Sequence, residues 1–169
     1  MADQLPTPAR LWKRMTGEQR VRAAQALWRE QEAAAEQKEA ATLIAKHLKF
    51  RPKTVNALDV ERKARHLATV GEVPDTLAAR LLVLYHLSEQ RPMMGAFLDA
   101  LGIAHENGLI NEDAVAPDPE KIPAAAAAIE RDYPAADVSL YLTTLMWQDP
   151  ASWSALHELP QVTGGERSS

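Results

Sequence analysis

The stretch that decides the fold runs from Leu77 to Leu87 and reads LAARLLVLYHL. Successive side chains of an α-helix turn by about 100°, so this sequence places apolar groups on almost every side of a helix. Such a helix must be buried by its neighbours. We therefore expect a central helix over 75–90, with Asp75 as its N-cap because a carboxylate there accepts hydrogen bonds from first-turn amides.

The sequence that follows predicts a partner for this helix. Pro92 suits the first turn of a second helix, where its missing N–H has no cost. Large apolar residues then recur at steps of three and four: Met93, Met94, Phe97, Leu98 and Leu101. Gly102 is typical of a left-handed helix end. Because the connection is short, we expect the two helices to pack as an antiparallel hairpin at the centre of the fold.

The N-terminal part of the chain begins with a capping box, in which Thr16 and Gln19 cap each other's backbone amides. Trp28 falls in the apolar stripe of the helix that follows. No glycine or proline interrupts 18–50, so the helix could continue for about 50 Å at about 1.5 Å per residue. The alternative is a break near 33–37. The absence of a helix breaker favours the continuous helix, whose polar middle would face solvent or a second subunit.

The C-terminal part starts with a connector over 110–122 that is rich in proline and acidic residues. A pair of helices is expected after it, the second of them a buried helix over 137–149. Residues 161–169 have the composition of a disordered tail. No alternating strand pattern emerges. The sequence thus predicts an all-α bundle of about six or seven helices in a single domain, 1–169.

The composition narrows the classes of protein. With 169 residues, of which 46% are hydrophobic and 25% charged, the chain suits an ordinary globular domain. A net charge of -4 argues against a surface built wholly for nucleic acid. The lack of cysteine excludes disulfides and thiolate catalysis. Neither a signal peptide pattern nor a membrane-spanning apolar run is evident, so we expect a cytoplasmic protein with no membrane partner.

Two histidines with neighbouring carboxylates form the first candidate site: His86, Glu89, His105 and Glu106. Imidazole and carboxylate groups together can hold a metal or move a proton. Against this, Leu109 occupies the place of the second histidine of an HExxH motif. Nor does the sequence contain a glycine-rich phosphate loop or a GxSxG elbow. The simpler expectation is histidines bonded to backbone, with no metal and no cofactor.

The second candidate site is a basic run between 46 and 66. Seven cations there outnumber Asp59 and Glu61, which leaves a local charge of +5. The cations are Lys46, Lys49, Arg51, Lys53, Arg62, Lys63 and Arg65. Such a surplus, with Phe50 inside it, suits a phosphate-binding surface. A helix-turn-helix DNA-binding motif is not expected, because the helix that would have to enter the major groove of DNA is the buried one over 75–90. A solvated basic surface is the simpler interpretation.

Three classes of function are consistent with this sequence. The favoured class is a non-enzymatic helical protein–protein interaction or assembly domain, because a long polar helix and alanine-rich surfaces favour helix-on-helix contact. Its partner would be another protein or a second copy of the chain in a homodimer. One alternative is binding of nucleic acid or an acidic partner through the basic run. The other is a metal-dependent or acid–base enzyme that uses His86 and His105.

Overall fold

The computed structural model describes residues 6–162, which form two compact units. The N-terminal unit is Thr7–Glu89, and the C-terminal unit comprises the described residues from Gln90 onward together with Pro6. The helices are α1 (Pro8–Arg14), α2 (Gly17–Arg29), α3 (Ala34–Leu48), α4 (Pro52–Asn56), α5 (Val60–Ala68), α6 (Asp75–Glu89), α7 (Arg91–Leu101), α8 (Ile122–Asp132), α9 (Ala135–Gln148) and a 3₁₀ helix (Ser154–Glu158). The strands are β1 (His105–Glu106) and β2 (Leu109–Ile110).

The all-α class is confirmed. The described residues hold nine complete α-helices where about six or seven were expected, and the additional ones include the short α1 and α4. The two helices of the expected hairpin, α6 and α7, fall in different units. Their antiparallel packing therefore stays a prediction, and so does the single-domain organisation.

The N-terminal unit is built around α6, whose residues Leu77, Leu81 and Tyr85 are buried as the apolar sequence predicts. Three helices, α1, α2 and α3, pack against it, and α2 also packs along α5. Trp12 of α1 is fully buried, and its Nε1–H donates to the carbonyl oxygen of Val70 at 3.2 Å. This bond ties α1 to the segment that follows α5.

The expected continuous helix over 18–50 is wrong. α2 ends at Arg29 and α3 begins at Ala34, so the alternative of a break is right, a few residues before 33–37. The chain folds back as two helices. The polar stretch between them is a turn rather than the middle of a long solvent-facing helix.

Side-chain hydrogen bonds and burial explain how the chain breaks without glycine or proline. The Gln37 side chain reaches back, and its Nε2 donates to the carbonyl oxygens of Leu27 and Glu30 at 2.9 Å each. Ala33 is fully buried at the start of α3. The carbonyls at the end of α2 thus find a donor outside the helix, which is what a helix end requires.

The capping signals read from the sequence have mixed outcomes. Thr16 and Gln19 form the expected capping box at the start of α2, with hydrogen bonds of 3.1 and 2.9 Å. Asp75 was expected to cap α6, but it is the first residue of that helix. Its carboxylate instead accepts the N–H of Ala9 at 3.0 Å. Asp75 therefore caps the neighbouring helix, α1.

The C-terminal unit buries a cluster of aromatic rings. Phe97 of α7 meets Tyr141 of α9 at a centroid distance of 5.8 Å and Trp153 at 5.9 Å. α8 packs against both α7 and α9. The hydroxyls of Thr143 and Thr144 in α9 donate hydrogen bonds to carbonyl oxygens one turn earlier, at 2.7 Å each. Buried α9 thus satisfies these two hydroxyls within its own backbone.

A small hairpin, not expected from the sequence, follows α7. Its strands β1 and β2 pair antiparallel, with His105 opposite Ile110. Asn107 and Gly108 turn the chain with φ values of 50° and 92°. Two positive φ values in succession are the turn that Asn-Gly favours in a hairpin. Strands of two residues are too short to show the alternation of apolar and polar residues by which a sequence predicts a strand. Gly102 ends α7 with a left-handed φ of 70°, as expected.

The expected connector over 110–122 lies within the C-terminal unit and leads into α8. The expected disordered tail, 161–169, does not begin at its first residue. Gln161 and Val162 are helical, and Val162 is buried. Residues 163–169 lie outside the described residues.

Replacement of Gln37 tests the turn between α2 and α3. We expect Gln37→Ala to lower the free energy of unfolding by about 1–2 kcal/mol, because two helix-end carbonyls lose their donor. Urea unfolding followed by circular dichroism measures this. Lys38→Ala, an exposed neighbour on the same helix, should stay within about 0.5 kcal/mol of the parent. Equal losses in both variants would contradict this role for Gln37.

Candidate functional site

The basic run lies on elements of the N-terminal unit that pack together, since α3 contacts both α4 and α5. Its cations sit in the last turn of α3, in the turn to α4, on α4 and on α5. We call these residues the basic surface: Lys46, Lys49, Arg51, Lys53, Arg62, Lys63 and Arg65. All of them are exposed except Lys63, which is half-buried. The fold thus brings both ends of the basic run to neighbouring helices.

The carboxylates of the same segment neutralise little of the basic surface. Asp59 is the N-cap of α5, where its Oδ1 accepts the N–H of Arg62 at 2.8 Å. Glu61 pairs with Arg65 one turn further along α5. In the part of the chain that the structure describes, this is the only ion pair that includes a member of the basic surface. The other six cations therefore hold no carboxylate partner there.

Two partly exposed aromatic rings accompany the basic side chains of α5. Phe50 is 41% exposed, and its ring meets that of His66 in a T-shaped contact at 6.2 Å. Trp28 of α2 lies beneath Lys63, whose Nζ is 5.9 Å from the ring centroid, a cation–π distance. Lys63 and His66 are three residues apart on α5, so both rings contact one short stretch of that helix.

The burial of Trp28, which lies beside the basic surface, differs from what the sequence predicts. Its helical spacing placed it in the buried stripe of α2, whereas it is only half-buried. Spacing predicts which face of a helix a side chain occupies, but not how completely neighbouring helices cover the edge of that face.

The two units carry opposite net charge. The N-terminal unit has 15 Lys and Arg against 10 Asp and Glu, a formal charge of +5. The remainder of the chain has 4 against 13, a formal charge of -9, which together give the overall -4. The overall acidity therefore does not argue against a polyanion partner for the N-terminal unit.

His86 is buried within α6, with 2% of its surface exposed. Its Nδ1 lies 2.7 Å from the carbonyl oxygen of Leu82, so Nδ1 carries a proton and donates it to that oxygen. Burial lowers the pKa of His86 to about 4, against a smaller raising effect of the Leu82 hydrogen bond. The imidazole is therefore neutral at pH 7. Glu89, the neighbouring carboxylate, pairs with Arg22 of α2 at 2.7 Å.

His105 holds the β1–β2 hairpin against α7. Its Nδ1 accepts the N–H of Gly108 at 3.0 Å, so its Nε2 carries the proton and donates to Asp99 Oδ1 at 2.7 Å. Both ring nitrogens are engaged in this attachment. Glu106 is exposed on β1.

The four residues of the histidine set are divided between the units. His86 and Glu89 belong to the N-terminal unit, and His105 and Glu106 belong to the C-terminal unit. Among residues 6–162, no group of three or more His, Cys, Asp or Glu side chains could hold a metal ion. The contacts of His86 and His105 within their own units are those of structural residues.

The C-terminal unit contains a cleft of about 210 Å³ between the connector and the turn after α9. Buried Trp153 and highly exposed Val115 line it together with Asp149. The carboxylate of Asp149 accepts the backbone N–H of Ser152 at 3.2 Å. Hydrogen bonds from Ser152 lower the pKa of Asp149. This carboxylate is therefore engaged in the turn after α9.

No protein family, curated protein or solved structure matches this chain. None of the helices in the described part is long and apolar enough to cross a membrane. Among the sites above, the basic surface has the most exposed and least neutralised functional groups.

Two glycine substitutions test the hairpin that His105 holds. A Cβ at Gly108 would stand 3.0 Å from the Cβ of Met94 and 3.3 Å from the carbonyl oxygen of Arg91, whereas a Cβ at Gly102 meets nothing within 4 Å. Both glycines have positive φ, so Gly102→Ala should cost about 1 kcal/mol of unfolding free energy from strain alone. Gly108→Ala should cost about 1–2 kcal/mol more because of the contacts. Thermal unfolding of the two variants measures the difference, and equal stability would contradict the tight packing at Gly108.

The buried imidazole of His86 predicts a pH dependence of stability. Its pKa is lower in the folded chain than the ordinary 6.5, so below that pH the unfolded chain binds the additional proton. The stabilisation is present above about pH 6.5 and is lost as the pH falls towards 4, for a total of about 3 kcal/mol.

Urea unfolding between pH 4 and pH 7 measures this dependence, and His86→Gln is the comparison because glutamine does not titrate. We expect the parent to lose more stability than the variant over this range. Parallel pH profiles for the two proteins would show that His86 is not held neutral by burial.

Proposed function

We propose that this chain is a non-enzymatic interaction protein that binds a polyanionic partner through the basic surface of its N-terminal unit. The observation that carries the proposal is the set of exposed cations on α3, α4 and α5, only one of which is paired with a carboxylate in the described part of the chain. Like charges held close together repel one another, and a polyanion relieves that repulsion while releasing its own counterions.

Two features of the structure weaken the other classes of function. Self-assembly drew its support from a long polar helix and from alanine-rich surfaces, and the middle of the expected long helix is a turn between α2 and α3. Self-association itself stays a prediction. The enzyme class drew its support from histidines, and the ring nitrogens of His105 are occupied by the hairpin and by Asp99. The cations of the basic surface, by contrast, remain available to solvent.

The proposal predicts a measurable salt dependence. Each phosphate or sulfate contact contributes about one unit to the slope of log affinity against log salt concentration. Heparin is a suitable generic polyanion. We expect the full chain to bind it at low salt, with an affinity that falls steeply as the salt concentration is raised.

A matched pair of double variants tests whether the basic surface is the binding site. Lys46→Gln/Lys53→Gln removes two of its cations, and Lys13→Gln/Lys38→Gln removes two exposed lysines elsewhere in the same unit. We expect the first variant to lower the salt slope of heparin binding by about 2 and the second to change it little. Isothermal titration at four salt concentrations measures both. Equal effects would indicate a response to net charge alone, and no binding at low salt would remove the proposed function.

A further inference from the structure

We infer that the polyanion is a single-stranded nucleic acid whose bases stack on Phe50 and Trp28 while its phosphates contact the basic surface. This inference rests on the proposed function and specifies its partner. Cations alone do not distinguish nucleic acid from any other polyanion, but aromatic rings placed among them do. A π-face recognises an unpaired base, and stacking on proteins is tolerant of base identity.

The position of Phe50 is fixed by the backbone before it. Lys49 ends α3 in the left-handed conformation, with φ of 59°. The N–H of Phe50 then bonds to the carbonyl oxygen of Ala45 at 2.8 Å. The contact with His66 orients the ring, yet Phe50 remains 41% exposed. The ring is thus held in place before any ligand arrives, which reduces the ordering that binding requires.

Lysine is an unusual residue at the left-handed end of a helix, which is where Lys49 lies. Glycine is the common residue at a left-handed helix end, because a side chain there is strained. This chain has a lysine there instead, directly before the exposed Phe50 in sequence. Strained residues at the surface are often found at functional sites. A nucleotide whose base stacks on Phe50 also carries a phosphate, which a neighbouring cation can contact.

Trp28 provides a second ring beside α5, where it contacts Lys63, three residues before His66. Its contact with Lys63 at 5.9 Å places a cation next to an aromatic face, and Phe50 likewise lies next to the ring of His66. A second ring with a cation beside it allows a further base of the same strand to stack while basic side chains neutralise the backbone.

The aromatic rings also favour a single strand over the two other polyanions that a basic surface could take. In a duplex the bases are already stacked and paired, so Phe50 and Trp28 would gain no base face. An acidic protein would use the cations but would have no π-face to offer the rings. The observations therefore favour single-stranded nucleic acid, and the other two become outcomes of the test.

Fluorescence anisotropy with the full chain tests the inference. The probes are a labelled 12-nucleotide oligo-dT and a labelled 12-base-pair duplex, with a polyglutamate peptide of similar charge as competitor. We expect oligo-dT to bind more tightly than the duplex and to resist the peptide. Phe50→Leu should weaken oligo-dT binding by at least about fivefold, because the loss of one stacked base has an effect of that size. Phe50→Tyr, which keeps the ring, should bind like the parent.

Two further variants separate stacking from changes in stability. Trp147→Leu removes an aromatic residue of similar exposure, 39%, from the acidic C-terminal unit, and it should leave oligo-dT binding unchanged. Lys49→Gly should unfold at a higher temperature than the parent, because strain is relieved, and yet bind oligo-dT more weakly. Loss of affinity with a gain in stability cannot arise from a merely structural role of Lys49.

The outcomes distinguish this inference from the proposed function on which it rests. If heparin binds through the basic surface but Phe50→Leu and Phe50→Tyr both bind oligo-dT like the parent, the stacking inference is wrong and the proposed function stands. Stronger binding of polyglutamate would identify an acidic protein as the partner, and stronger binding of the duplex would indicate groove or backbone contacts. If neither heparin nor either oligonucleotide binds at low salt, both proposals are wrong.

Discussion

The burial of α6 is the constraint on which the N-terminal unit depends. A helix that is apolar on nearly every side cannot be covered by one neighbour, and here α1, α2 and α3 all contact it. Because α2 and α3 must both reach α6, the chain between them has to turn, and the side chain of Gln37 makes that turn possible. The same packing leaves the end of α3, all of α4 except the buried Val55, and one side of α5 at the surface, which is where the cations lie.

Local signals were sufficient to predict the parts of the fold that local chemistry determines. Thr16 and Gly102 act at their helix ends through contacts a few residues away, and such contacts are visible in sequence. The turn between α2 and α3 was not predictable in this way, because no glycine or proline marks it. Asp75 shows the same limit, since its carboxylate caps a helix 66 residues distant in sequence.

The candidate site was predictable as a composition but not as a surface. Seven cations within 46–66 can be counted from the sequence, whereas the partial exposure of Trp28 depends on how α2 packs against α5. The histidines illustrate the reverse case. Their spacing suggested chemistry, but the hydrogen bonds of His105 within its unit are those of a residue that holds a hairpin in place.

The opposite charges of the two units also determine how the protein binds to ion-exchange resins. A chain with -4 spread evenly over its surface would be retained by an anion exchanger at neutral pH and would pass through a cation exchanger. This chain presents +5 on one unit and -9 on the remainder, so each type of resin meets a region that it attracts. Retention on both resins follows, and the isoelectric point near 5.7 is an average that describes neither unit.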